Sequence, residues 1–195
     1  VIVGAGFAGL YMLYRLREAG LKTVIYEAGD GIGGTWFWNR YPGARCDVPS
    51  LQYSYAFDDE LQQEWDWPER YSAQPDILAY INHVAKRFAL NKDIQLNTPV
   101  KSARYDDKTD KWAIETESGI TDSKFCIMAT GCLSSANFPQ IEGTQIFKGD
   151  TYHTGRWPKT KVDFSGQSVG IIGTGSSAIQ SIPLIAEEAQ HLYVF

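Results

Sequence analysis

The chain has 195 residues, 18 Lys and Arg against 23 Asp and Glu for a formal charge of -5, and is 44% apolar and 13% aromatic. The apolar share excludes a disordered chain, no apolar run reaches the ~20 residues a bilayer span requires, and the net acidity without Lys/Arg clusters excludes a nucleic-acid binder. Cys46, Cys126 and Cys132 lack CxxC spacing and a companion His cluster, so neither a disulfide framework nor a metal site is expected, and the cytosol is the expected compartment. The length fits one domain, or one and part of a second. With no Met at the start and an apolar run at each end, the sequence reads as an excerpt of a longer enzyme.

Val1-Ile2-Val3 reads as a short buried strand, followed by Gly4-Ala5-Gly6-Phe7-Ala8-Gly9 and a helix closed by Gly20 in left-handed conformation. Thr23–Glu27 is the next strand, so the first 30 residues form a βαβ unit. Residues 28–73 are loop-rich and crowded with aromatics and Pro. From Gln74 a helix is predicted, with Pro75 and Asp76 in its first turn and Ile77, Ile81, Val84 and Phe88 on one face; His83 should look to solvent. Period-two alternation around Trp112, Ile114 and Thr116 predicts an antiparallel meander within 95–128, and Phe125–Met128 a buried strand. Residues 132–165 read as a linker. A second unit begins with strand Ser168–Ile172, the turn Gly173-Thr174-Gly175-Ser176-Ser177-Ala178, a helix to about Gln190 with a kink at Pro183, and a last strand begun by His191. The implied division is an N-terminal dinucleotide domain over 1–131, the linker, and the start of a second domain over 166–195.

In the first turn Gly4 permits the bend, Gly6 lets the backbone approach a pyrophosphate, and Gly9 lets the helix pack against the strand; Phe7 and Ala8 open the helix whose free N–H groups face the anion. Glu27, at the end of the following strand, is placed to accept from both ribose hydroxyls, and its charge disfavours a 2′-phosphate; FAD or NAD(H) fits. The second turn repeats the design through Gly173, Gly175 and Ala178. The residue that selects NADH or NADPH is expected near position 196. Gly33-Gly34-Thr35-Trp36 falls where the rest of an FAD would run, with small residues for close approach, a hydroxyl and a flat wall. Asn39–Asp47 then forms an aromatic loop that reads equally as a core plug, with Arg45 and Asp47 an exposed ion pair in that reading. His153 stands in a dense Phe147–Pro158 constellation.

These residues together resemble the type I Baeyer–Villiger monooxygenases, among the class B flavoprotein monooxygenases. The family signature F-x-G-x-x-x-H-x-x-x-W-P is filled by Phe147, Gly149, His153, Trp157 and Pro158, with Lys159 where Asp often follows. Gly33, Gly34, Trp36, Tyr41, Pro42, Gly43 and Asp47 meet a second, G-G-x-W followed by Y-P-G-x-x-x-D. The resemblance implies an α/β fold: a Rossmann-like FAD-binding domain with a parallel sheet and a small antiparallel meander, then the start of a Rossmann-like NADP-binding domain. It implies FAD and NADPH as cofactors, with a ketone and O2 as the reacting partners and neither nucleic acid nor membrane. A C4a-peroxyflavin would insert one oxygen atom beside the carbonyl to give an ester or lactone. Carried over by position, Gly4, Gly6, Gly9, Glu27, Gly34, Thr35, Trp36, Arg45, Asp47, Tyr53 and Val100 would serve FAD. Gly173, Thr174, Gly175, Ser176, Ser177 and Gln180 would serve NADP. Asp47 would pair with a catalytic Arg that has no match here, and His153 would act as a hinge and coupling residue rather than a base. A heteroatom-oxidising flavin monooxygenase is the alternative, disfavoured by Trp157-Pro158; a non-catalytic nucleotide-binding module is another. A disulfide reductase would need a CxxxxC pair that is missing.

Overall fold

Four short parallel strands carry the first glycine turn. In the computed structural model, which describes residues 1–195, β1 (Ile2–Val3) leads through the turn into α1 (Phe7–Glu18), and β2 (Ile25–Tyr26) returns beside β1. After α2 (Thr35–Trp38), α3 (Asp59–Glu64) and α4 (Gln74–Arg87), β3 (Ile94–Gln95) joins β2 in parallel. The meander β4 (Ser102–Asp106), β5 (Lys111–Thr116) and β6 (Gly119–Ser123) is antiparallel throughout. β7 (Ile127–Met128) then closes the parallel sheet in the order β3-β2-β1-β7. The expected mixture of parallel sheet and antiparallel meander is therefore present, with Tyr26 Oη 2.9 Å from Thr121 Oγ1 joining the two.

Periodicity places the core. Leu10 and Leu13 of α1, Ile2 of β1, Ile25 of β2 and Ile77 and Ile81 of α4 are fully buried, each contributing about 1.5–3 kcal/mol relative to exposure. α1 ends as expected, with Gly20 at φ 75° donating its N–H to the Arg17 carbonyl. Three local expectations are corrected. His83 is half-buried, because Tyr80 at 1% exposure widens the apolar face of α4 toward it. Residue 95 lies in the parallel sheet, so the meander starts at Ser102. Met128 is 61% exposed, because β7 is an edge strand, and Phe125, 55% exposed, lies ahead of that strand.

The chain divides into two compact units that are interleaved in sequence. One comprises Val1–Phe37 and Leu78–Ser134, the other Trp38–Ile77 and Ser135–Phe195. The second contains β8 (Ser168–Ile171), α5 (Ser176–Glu188) and β9 (His191–Val194), the two strands pairing in parallel. α5 runs on through Pro183, which has no N–H to give the Ile179 carbonyl. Residues 38–77 thus cluster with the C-terminal part of the chain.

Candidate functional site

The first turn is built by close approach. Gly4 has φ +102°, and a Cβ there would lie 2.6 Å from the Ala129 carbonyl oxygen, so two separate constraints demand glycine. A Cβ on Gly9 would run into the Gly4 carbonyl, which lets α1 start directly against the turn. Gly33 N–H donates to the Ala5 carbonyl at 2.9 Å, bringing Gly34 face to face with Gly6, where a Cβ on Gly34 would stand 2.9 Å from the Gly6 Cα. α1 begins at Phe7 with Gly6 as its N-cap, without a side-chain cap or an acid in its first turn. Its leading N–H groups and positive dipole end are thus left to an anion.

Glu27 is 5% exposed, and both carboxylate oxygens are used: Oε2 accepts from Ala5 N at 2.7 Å and Oε1 from Gly29 N at 2.8 Å. The carboxylate braces the turn itself, a role additional to the ribose contact expected of it. Each oxygen keeps further acceptor capacity. Thr35 is exposed and Trp36 buried in α2, and Val100 is half-buried before the meander. The narrow glycine approach, uncapped helix and acceptor at the strand end suit an adenine dinucleotide such as FAD.

In the other unit, Asp47 is exposed on a rib pinned along its length. Gln74 N–H donates to the Ala44 carbonyl at 2.8 Å, Cys46 N–H to that of Ser72 at 3.1 Å and Ser50 N–H to that of Arg70 at 2.8 Å. Beneath them, buried Ser50 Oγ accepts from Ser72 N–H at 2.8 Å and lies 2.7 Å from the Glu69 carbonyl oxygen. Arg45 pairs with Glu69 at 3.2 Å, not with Asp47 as the ion-pair reading expected; the bridge to Ala73 brings the 69–73 segment alongside. Tyr53 ends a single 3-10 turn, Ser50–Tyr53, and is half-buried.

Both ring nitrogens of His153 are engaged by backbone. Nδ1 accepts from Gly155 N–H at 3.0 Å, which leaves the proton on Nε2, 3.2 Å from the Asn137 carbonyl oxygen. Phe138 packs on the ring at 4.4 Å between centroids, and Arg156 lies over Phe138. Trp157 contacts Tyr152 and Phe164, the latter buried. The constellation is a pin for the chain ahead of β8.

The second turn is open. Gly173, Thr174, Gly175 and Ser176 are exposed, and a Cβ on Gly173 or Gly175 would meet nothing within 4 Å. α5 starts, like α1, without a side-chain cap or an acid in its first turn, with Ser177 half-buried behind Ser176. The Gln180 carboxamide is hydrogen-bonded to Tyr41 and to the Arg45 backbone. The structural part of Tyr41 was hidden in the sequence, where it is one aromatic among many. The only available sign was a phenol hydroxyl two residues before Gly43, a hydrogen-bonding group close to a stretch of bare backbone.

Comparison with known proteins gives the same layout. Residues 1–191 match the family model described as pyridine nucleotide-disulphide oxidoreductase. The whole chain is 46% identical to a Baeyer–Villiger monooxygenase of Pseudooceanicola batsensis and 44% identical to phenazine N-monooxygenase PhzNO1 of Lysobacter antibioticus, covering 36% of each. Among solved structures it superposes on a steroid monooxygenase bound to NADP with TM-score 0.95 at 54% identity. On the OTEMO complex with FAD and NADP the TM-score is 0.94 at 40% identity, and the chain covers 37% of either neighbour. It therefore spans about a third of the length of the proteins it matches. Cys46, Cys126 and Cys132 are free thiols.

Proposed function

Since this chain belongs to the pyridine nucleotide-disulphide oxidoreductase family, in its Baeyer–Villiger monooxygenase branch, we propose that the protein containing it is an FAD- and NADPH-dependent monooxygenase that converts a ketone into an ester or lactone with O2. The observation that carries the proposal is the pairing of two uncapped glycine-turn helices with the His153–Pro158 pin in a chain so close to those enzymes. FAD is assigned to the first turn, where Gly4, Gly6, Phe7, Ala8, Gly9, Glu27, Gly34, Thr35, Trp36 and Val100 would hold it, with Arg45, Asp47 and Tyr53 assigned to its reactive part. NADPH is assigned to Gly173–Ser177. The bound flavin supplies the redox chemistry and the activation of oxygen.

The residues present would bind and orient. Phe7, Ala8 and Gly9 N–H groups take the pyrophosphate; Glu27 keeps the turn closed while offering its remaining lone pairs to the ribose. Asp47, held on its rib, would place a partner cation, which favours negative charge developing next to it. His153 fixes the approach to β8. No helix is long and apolar enough to cross a membrane, and the free thiols accord with the cytosol as the assigned compartment.

The test is turnover of the full-length protein. A yellow preparation that consumes NADPH faster when a ketone is added, and yields the matching ester by gas chromatography, supports the proposal. The similarity to a phenazine N-monooxygenase favours a second reading, oxidation of a heteroatom. Thioanisole or a phenazine turned over while every ketone is refused would establish that reading instead.

A further inference from the structure

Gln180 lies on α5, a turn beyond the glycine loop, where the family resemblance implies a nucleotide contact. Its side chain is hydrogen-bonded within the chain. Tyr41 Oη–H donates to Oε1 at 2.9 Å, Arg45 N–H donates to the same oxygen at 3.3 Å, and Nε2–H donates to the Arg45 carbonyl at 3.1 Å. The amide orientation follows from these partners, because flipping it would set Nε2 against the Arg45 N–H and Oε1 against the Arg45 carbonyl. The backbone is seated as closely as the side chain. Gly43 has φ +77°, and a Cβ there would strike the Gln180 carbonyl oxygen, with Leu184 Cδ1 at 3.3 Å from it. Residues 41–45 therefore dock on α5 through backbone contact and three hydrogen bonds, and Asp47 stands two residues beyond the dock. On the far side the 69–74 segment holds the same rib through Cys46, Ser50 and Gln74.

We infer that Gln180 is a positioning residue: its carboxamide registers the Asp47 rib to the helix of the second glycine turn, so that nucleotide bound at that turn and the placement of Asp47 are coupled. The inference rests on the proposed reading of Gly173–Ser177 as the NADPH site. A displacement of the start of α5 on binding phosphate would reach Arg45 through one side chain, without any contact between Gln180 and the nucleotide.

The experiment uses the full-length, flavin-loaded protein and the variants Gln180→Leu, Tyr41→Phe and the two combined, with Gln180→Glu as the conservative change that keeps the acceptor and loses the donor. Amide hydrogen exchange across 40–47 is measured with and without NADP+, together with the Kd for NADP+ and the rate of flavin reduction. Tyr41→Phe, which removes one hydrogen bond, should raise exchange across 40–47 roughly tenfold and Gln180→Leu, which removes all three, by more; the double variant should exceed Gln180→Leu by no more than about twofold, since the Tyr41 bond is already lost there. NADP+ should protect 40–47 in the wild type and not in either variant, and both should bind it more weakly. Gln180→Glu should be intermediate, and it carries the test with Tyr41→Phe if Gln180→Leu does not fold. Wild-type exchange and NADP+ affinity in Tyr41→Phe, with weaker NADP+ binding in Gln180→Leu alone, would overturn the inference in favour of direct nucleotide contact. A wild type that binds NADP+ without protecting 40–47 would sink the coupling alone. One that binds no NADP+ would sink the reading of the second turn on which it rests.

Discussion

The two glycine turns share a sequence pattern and differ in what surrounds them. Around Gly4–Gly9 every missing Cβ is matched by a neighbour: Ala129 against Gly4, the Gly4 carbonyl against Gly9, Gly34 against Gly6. Around Gly173 and Gly175 nothing approaches. Glycine in the first turn is required by close packing as well as by backbone conformation, whereas in the second Gly173 is required by its φ of +109° alone and Gly175, at φ -74°, by neither. One signature thus encodes two separate physical demands.

The sharpest way to break this comparison is Gly4→Ala. Backbone strain at positive φ adds to the collision with Ala129, an expected loss of about 2–5 kcal/mol, read as a lowered Tm and loss of bound flavin. Next comes Glu27→Ala, which orphans the Ala5 and Gly29 N–H groups and should destabilise by about 1–3 kcal/mol per buried unpaired donor, with Glu27→Gln nearer wild type because one acceptor survives. Gly175→Ala should do the reverse of Gly4→Ala. Its φ of -74° suits alanine, so Tm should stay within the effect of an ordinary surface change, about 0.5 kcal/mol. The KM for NADPH should rise about tenfold as the methyl enters the space assigned to phosphate, a loss near 1.4 kcal/mol. Equal loss of Tm in the two glycine variants would end the distinction.

The smallest expected effect lies outside both turns and serves as a baseline. Asp106 is held below its ordinary value of 3.8 by the Lys108 backbone N–H, then by the Thr109 hydroxyl. A depressed carboxylate adds stability above its unfolded value and loses it as pH falls through the folded one. The Lys108 amide resonance should accordingly titrate with a midpoint below 3.8, and Asp106→Asn should remove that titration while leaving flavin and nucleotide binding untouched.

What could be read from the sequence was local. β1, the turn, α1 and β2 follow from apolar runs, turn residues and a cap within 30 residues, and the buried face of α4 follows from its period. The glycines and Glu27 were visible from their spacing within a strand-turn-helix-strand context, and the His153 constellation through its resemblance to a family signature. What the sequence hid depends on partners far along the chain. Tyr41 and Gln180 are 139 residues apart, so neither the grouping of 38–77 with the C-terminal part nor the hydrogen bonding of the Gln180 side chain has a local sign. The exposure of Met128 is of the same kind: four apolar residues in a row describe a strand without telling whether it sits in the middle of a sheet or at its edge.

Ile2 pairs with Ile127, and Gly4 is closed over by Ala129. During synthesis, then, the first dinucleotide turn emerges from the ribosome long before its lid exists. At about 5–20 residues per second it must wait several seconds for the strand that completes it. The motif made first is thereby the one completed late.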